Sequence, residues 1–508
     1  MNIRNIYFAL IVALSLGLLY EWSSDQRSQS VEDHLLDASF PSFEIGEDYV
    51  AIENQQLYVV IAVKTGAIVE TRLKEYKVEN VAGSLGFRVF GESKETAFSY
   101  YFKSGFTGVS PSYQISELGS DYVELLDPLI GVSKRVSFKD VEYEISVYDS
   151  SLEGEEGKSF AGLYRTSGRA LDLKRDALSG GMMNNSSYEG VAISSDGDPY
   201  STSRLRGVEE PLEVLSRSGW VAFIQKYFFA AILGSDEYIY NYYVLPKESG
   251  LFRMGYTVEG SSGSNFTYDH EHRLFVGPKI RKDLMGRADN LELSIDMGWF
   301  WFLSQPMVWF MDVLNGYINN WGITIIVFTI LIKLLFWPVT AKSFRSMANL
   351  RKITPELNEI KERYKDDRQK QGTETMKLMK KNGANPLGGC LPLLIQMPFF
   401  IGFFFALREM VELRHSELVL WSDLSAPDPY FIMPALFALL MFLTQRLNPQ
   451  PAGMDPTQAQ VMKYMPLMFS VMFIFFPAAL CLYTVVNTGV QLAQQSYLYK
   501  QQGALGSN

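Results

Sequence analysis

Trp321-Gly-Ile-Thr-Ile-Ile-Val-Phe-Thr-Ile-Leu-Ile-Lys333-Leu-Leu-Phe-Trp337-Pro338 is an apolar run with one charge inside it. At about 1.5 Å per helical residue, Lys333 lies about 18 Å below Trp321, in the inner half of a ~30 Å hydrocarbon core. An ammonium at that depth costs roughly 2.5–3.5 kcal/mol on insertion scales. Such a residue faces a protein-lined or watery cavity, or its stem snorkels to the headgroups. The surrounding chain weighs for the cavity.

Around this run the chain divides by charge. Of 508 residues 47% are hydrophobic, yet mean hydropathy is near zero because a long polar block offsets the apolar segments. Residues 21–297 hold 43 Asp and Glu against 27 Lys and Arg, a net of −16 within the chain's −10. A block of this length buries its own core, and its acidity argues against nucleic acid as a partner of this ectodomain. The two cysteines, Cys390 and Cys481, both fall in membrane candidates, so the block has no disulfide. Four histidines with no Cys/His cluster give no metal site, and His270-Glu-His272 reads as strand or loop decoration. No cofactor motif occurs.

Residues 6–20 follow Arg4 and lack a small-x-small cleavage site, which predicts an uncleaved anchor at 1–22 with its N-terminus in the cytoplasm. Five further spans are expected: Trp321–Thr340, Leu387–Leu407, Tyr430–Leu443, Met462–Phe476 and Pro477–Tyr497. Pro477 marks the turn between the last two. Residues 342–384 carry 12 Lys and Arg against 6 acids, while 412–428 holds one Arg and four acids. The basic loop belongs in the cytoplasm, so both termini are cytoplasmic and the acidic block is outside. Seven of eight tryptophans lie near these boundaries, as an aromatic belt requires.

After a linker at 23–41, residues 42–296 alternate as strands do. Leu57–Val63 and Ile68–Leu73 make a hairpin around Gly66, followed by Tyr122–Leu126, Lys134–Phe138, Tyr143–Tyr148 and Tyr238–Val244. Many short strands predict a β-sandwich. Residues 297–319, rich in Trp and Phe, predict an amphipathic helix in the outer interface; a buried helix of the soluble domain is the alternative. Residues 320–500 form the helical core, and 501–508 an uncharged tail.

Within that core, 342–383 reads as a cytoplasmic helical hairpin. Thr354-Pro355-Glu356 supplies an N-cap and a first-turn proline, Asp366-Asp367 a turn, and Tyr364, Met376 and Met379 apolar positions. A docking surface and an ordinary solvated loop are both compatible with it. Thr329 shares the Lys333 face one turn earlier. Gln396 sits in the third span; Asn487, Gln491, Gln494 and Gln495 load the sixth, and Ile330 and Phe399 are expected to face lipid or core. Polar groups without an intramembrane carboxylate suggest a hydrated groove holding one positive charge. A proton- or sodium-coupled transporter would need an Asp or Glu there.

The single basic residue before Pro338, then Asn385-Pro-Leu-Gly-Gly-Cys-Leu-Pro-Leu-Leu-Ile-Gln-Met-Pro398, strongly resembles the YidC/Oxa-type insertase family. Val411-Glu-Leu-Arg414, Leu424-Ser-Ala-Pro-Asp-Pro-Tyr430 and Tyr464-Met-Pro466 extend the resemblance over essentially the whole chain, in its Gram-negative form. The resemblance implies a periplasmic β-sandwich shaped like sugar mutarotases without their activity. It also implies five core helices around a groove open to cytoplasm and lipid. No catalysis is implied: the chain is expected to insert nascent membrane proteins into the inner membrane. The Sec translocon, the ribosome and the lipid bilayer are the other expected partners.

The family's groove charge is usually arginine, and here Lys333 takes its place, keeping charge but losing bidentate pairing. Thr329 and Gln396 match polar groove positions. Where relatives can carry two adjacent tyrosines in the sixth helix, this chain has Tyr483-Thr484. The alternative reading is a membrane-anchored enzyme modifying glycans or lipids, with the sandwich as its catalytic domain.

Overall fold

The computed structural model describes residues 45–447 and 470–503, apart from 78–79, 81–82, 94–97, 152–157, 167–189, 205–209, 247–250, 260–267, 296, 298–299, 384–390 and 502. The expected anchor at 6–20, the linker and most of the Met462–Phe476 span lie outside the described residues. The chain forms two compact units that meet in sequence at Ile295 and Asp296.

The first unit is two antiparallel sheets. One runs edge to edge through Tyr49–Glu53, Leu57–Ala62, Ala67–Lys77, Phe98–Phe106, Lys158–Thr166, Leu251–Glu259, Tyr240–Pro246 and Leu212–Ser216, with Gly86–Phe90 and Glu92–Ser93 as side branches. The other runs through Ser201–Arg204, Gly190–Ser194, Trp220–Ile224, Phe228–Leu233, Tyr268–Pro278, Glu144–Ser151, Val132–Phe138, Tyr122–Asp127 and Gln114–Leu118. Tyr122–Asp127 alternates half-buried and buried residues as a strand with one core face does. Trp220–Ile224 and Phe228–Leu233 are buried on both faces and read as continuous apolar runs. The expected hairpin forms around Gly66, whose φ of 62° suits glycine.

A polar bridge joins the two sheets through the core. Lys134 and Asp149 are fully buried and 2.6 Å apart. Ser104 on the facing sheet donates to Asp149 at 2.6 Å and accepts from Lys134 at 2.7 Å. His272 continues the network to Ser159 at 3.0 Å and Tyr256 at 2.9 Å. Burial alone would raise the Asp149 carboxyl, but the Lys134 ammonium and His272 outweigh it and hold it at about 2. Removing one member of such a network leaves a buried charge unpaired, which costs roughly 3–5 kcal/mol.

The second unit is helical: α1 (Trp301–Ile318), α2 (Trp321–Leu335), α3 (Trp337–Lys352), α4 (Thr354–Arg363), α5 (Arg368–Lys381), α6 (Leu391–Glu409), α7 (Ile432–Leu447) and α8 (Ala478–Gln501). The aromatic stretch at 297–319 supplies α1, which packs in this unit: Ser304 donates to the Gly402 carbonyl of α6 at 2.8 Å. Asn320 caps α2, accepting from the Ile323 amide at 3.0 Å. Among the described residues no single helix is long and apolar enough to cross a membrane, but α2 and α3 together are, bent by 66°.

One correction is that the span expected from Trp321 to Thr340 is a bent pair of helices and not one helix. Pro338 lacks the amide hydrogen that would bond the Leu334 carbonyl, so α2 stops at Leu335 and α3 starts afresh with Pro338 in its first turn. The Thr340 hydroxyl donates to the carbonyls of Phe336 and Trp337, at 3.0 and 3.1 Å, and its amide makes the first helical bond of α3 to Phe336. A second correction concerns Thr354, which is no side-chain cap: its hydroxyl donates back to Leu350 at 2.9 Å while Ile353 holds the cap position. Asp367 does cap α5, accepting from the Lys370 amide at 3.0 Å.

Candidate functional site

The bend and the polar face of α2 meet at one cavity. Thr329 and Lys333, four residues apart, lie on the same face of α2, and both are buried. The Thr329 hydroxyl satisfies itself on the Ile325 carbonyl at 2.6 Å. The Lys333 ammonium donates to Gln396 of α6 at 3.2 Å and to Gln491 of α8 at 3.4 Å. The Gln396 amide nitrogen donates in turn to Asn487 of α8. Among the described residues Lys333 has no carboxylate partner.

Thr329, Lys333, Gln396, Tyr483 and Asn487 line this cavity together with Ile332, Phe336, Val339, Thr340 and Phe399. Its free space for water centres is about 40 Å³, and one water needs roughly 10–15 Å³ on that measure, so it has room for several. The Phe336 and Phe399 rings, 4.9 Å apart, supply an apolar part of its lining. The Tyr483 ring rests on Phe403 with centroids 4.5 Å apart.

The sequence-predicted set divides here. Five of its groove residues line the cavity, and Gln491 reaches it through Lys333. Thr484 does not: its hydroxyl donates to the Cys481 carbonyl of its own helix at 2.8 Å. Gln494, also buried, is absent from the lining and its side-chain oxygen is unpartnered. Phe399, expected toward lipid or core, faces the cavity instead, while Ile330 is 37% exposed. Val339 and Thr340 enter because the bend turns the first residues of α3 toward the cavity. The Trp337-Pro338 pair was the signal for them.

The hairpin residues separate as well. Met379 is buried against Leu350, Ile353 and Leu357. Met376 is 71% exposed. Tyr364 carries the Lys370 ammonium 5.3 Å from its ring. In the first unit, His270 and His272 face the core, where burial pushes both imidazoles below their ordinary range. Among the described residues no group of three His, Cys, Asp or Glu could hold a metal.

Two family profiles cover most of the chain: "YidC periplasmic domain" matches residues 128–310 and "60Kd inner membrane protein" matches residues 313–504. A membrane protein insertase YidC of Pseudomonas putida (strain W619) is 35% identical over 90% of this chain and 84% of its own length. Its counterpart from Hahella chejuensis (strain KCTC 2396) is 37% identical over 89% of this chain and 79% of its own. A crystal structure of an active YidC insertase with its first transmembrane domain resolved covers 91% of this chain and 96% of its own, at 20% identity and a TM-score of 0.39. A relative matched at this identity over nine-tenths of the chain leaves one assignment: the chain belongs to the YidC family of membrane protein insertases.

Proposed function

We propose that this chain inserts nascent membrane proteins into the inner membrane, moving short hydrophilic segments outward past Lys333 while their apolar helices leave sideways into lipid. One observation carries the reading: a buried ammonium that, among the described residues, is held by neutral amides, beside a cavity with room for water. Neutral acceptors satisfy its protons without cancelling its charge, so the field remains available to an acidic segment. Water in the cavity shortens the distance over which polar backbone crosses hydrocarbon. No covalent step is needed, and the glycan- or lipid-modifying alternative is not favoured by the family.

In this reading the chain spans the membrane six times, with both termini and the α4–α5 hairpin in the cytoplasm and the sandwich in the periplasm. The exposed Met376 face of the hairpin, rather than Met379, meets the nascent chain. The ribosome and the Sec translocon are the expected partners there and within the membrane. Purified protein reconstituted into proteoliposomes should insert a short single-span substrate, whereas empty liposomes should not. Equal insertion by both would defeat the reading.

A further inference from the structure

Residues 418–421 form a two-residue hairpin turn, with reciprocal backbone bonds between Leu418 and Trp421 at 2.8 and 2.9 Å. Its first central residue, Val419, has φ of 53°. Glycine or asparagine is the usual occupant of that backbone, and a β-branched side chain there is strained. Val419 is nevertheless 92% exposed and Leu420 58% exposed. A strained backbone therefore holds two apolar side chains outward, with no packing return inside the fold.

The turn is fixed to the start of α2. Leu418 is buried against Gly322 so closely that a Cβ there would lie 2.8 Å from its side chain. Asn320, while capping α2, donates to the Glu417 carbonyl at 3.0 Å. On its other side Trp421 donates to Asp428, which also accepts from the amides of Tyr430 and Met433 at the start of α7. Val419 and Leu420 are thus held level with Trp321, at one end of the apolar helix α2. Exposed Ile323 on α2, and Tyr430, Phe431 and Ile432 before and on α7, continue the apolar surface. It runs on down α7 through Leu436, Leu439 and Phe442. An exposed apolar surface continuous with helices of an inner-membrane protein is covered by lipid.

We propose that the Val419–Leu420 turn dips into the leaflet at the Trp321 end of α2, the outer leaflet in the topology above, and sets the depth of the helix carrying Lys333. The inference rests on the membrane placement of α2 and α7, and not on how the cavity handles substrate. Its occupant is the acyl–headgroup boundary; a protein partner would need the turn in water.

The test uses the full chain, with Cys390 and Cys481 replaced by Ala, in nanodiscs of phosphatidylethanolamine and phosphatidylglycerol. A nitroxide is placed singly at position 419, at 439 and at 376, and its collisions with oxygen and with a water-soluble nickel chelate are compared. Oxygen should dominate at 419 and 439, with 439 deeper, and the chelate at 376. Chelate dominance at 419 with oxygen dominance at 439 overturns the wedge and leaves the membrane placement standing. Chelate dominance at both overturns the placement, and the wedge with it. In detergent, Val419→Asn should melt at the same temperature or higher, because asparagine suits the left-handed backbone. A marked fall would show that the valine works inside the fold, and would also overturn the inference.

Discussion

Lys333 and Gln396 face each other across the space between α2 and α6, ammonium to amide oxygen at 3.2 Å. The same amide holds Asn487 of α8 through its nitrogen, so Gln396 ties three helices at the level of the charge. A carboxylate adds to such a bond the charge–charge attraction that a neutral amide lacks. An acidic side chain entering the cavity can therefore displace an amide that holds Lys333 at rest.

Placing a carboxylate there permanently should block the site. In Gln396→Glu the new carboxylate pairs with Lys333 and cancels its field. At an effective dielectric of about 20, two charges 4 Å apart interact by about 4 kcal/mol. Insertion of substrates with acidic translocated segments should fall at least tenfold, about 1.4 kcal/mol. Insertion of uncharged segments should change little. Initial rates for the paired substrates check this.

Wetness can be mapped chemically. With Cys390 and Cys481 replaced, cysteines at Thr329, Gln396 and Asn487 should react with a membrane-permeant thiol reagent that requires water. Cysteines at Thr484 and Gln494 should be protected, since these residues are buried and do not line the cavity. Uniform protection at all five positions would mean a dry, packed bundle.

The periplasmic unit should weaken in mild acid. His270 is pushed down to about 3, by burial first and then by the neighbouring His272, and burial also lowers His272. Both stay neutral in the fold, whereas unfolded imidazoles take up protons below about 6.5. Their contribution to stability is full above that pH and is lost as pH falls toward the folded values, by up to ~1.4 kcal/mol per pH unit for each. Asp149, held at about 2, adds its loss only below the ordinary carboxylate range. Both His270 ring nitrogens are buried without partners, and Tyr238 and Tyr240 flank the ring. His270→Phe should flatten the dependence between about pH 6.5 and 4 by one imidazole's share. Denaturant unfolding of this unit in the intact protein, followed across that range, measures it.

The two hairpin methionines should behave oppositely. Photocrosslinkers at Met376 should capture a nascent substrate, whereas those at Met379 should not. Met379→Ala should loosen the α4–α5 pair by about 2–3 kcal/mol, as loss of a buried methionine does. Hydrogen exchange over 354–381 should rise in Met379→Ala and stay unchanged in Met376→Ala.

Much of this was legible. Lys333 stood out because nothing else in its run was charged, and Thr329 followed from helical spacing. Asp366-Asp367 announced the turn before α5, though not the cap that Asp367 makes there. Strand parity also marks core faces. Lys134 alternates in step with Val132 and Val136, and His270 and His272 with Leu274, which places all of them on core faces. Their partners on the other sheet come from distant strands, so no local pattern names them.

Other features depended on packing. The apolar run hides the break at Phe336, because hydrophobicity persists through Trp337-Pro338 while the helix axis turns. Tyr483 and Thr484 are neighbours in sequence but about 100° apart on a helix, and only the position of α6 decides which one meets the cavity. Gln494 reads like Gln491 by type, yet one turn along α8 it leaves the Lys333 level.

The central claim is that the Lys333 charge acts on the translocating segment. Its most direct test is a proteoliposome insertion assay on single-span substrates differing only in acidic residues of that segment, with Lys333→Arg, Lys333→Ala and Lys333→Glu compared. Lys333→Arg should retain insertion. Lys333→Ala should slow the acidic substrate selectively, and Lys333→Glu should slow it further. Full insertion of the acidic substrate by Lys333→Glu would contradict the account.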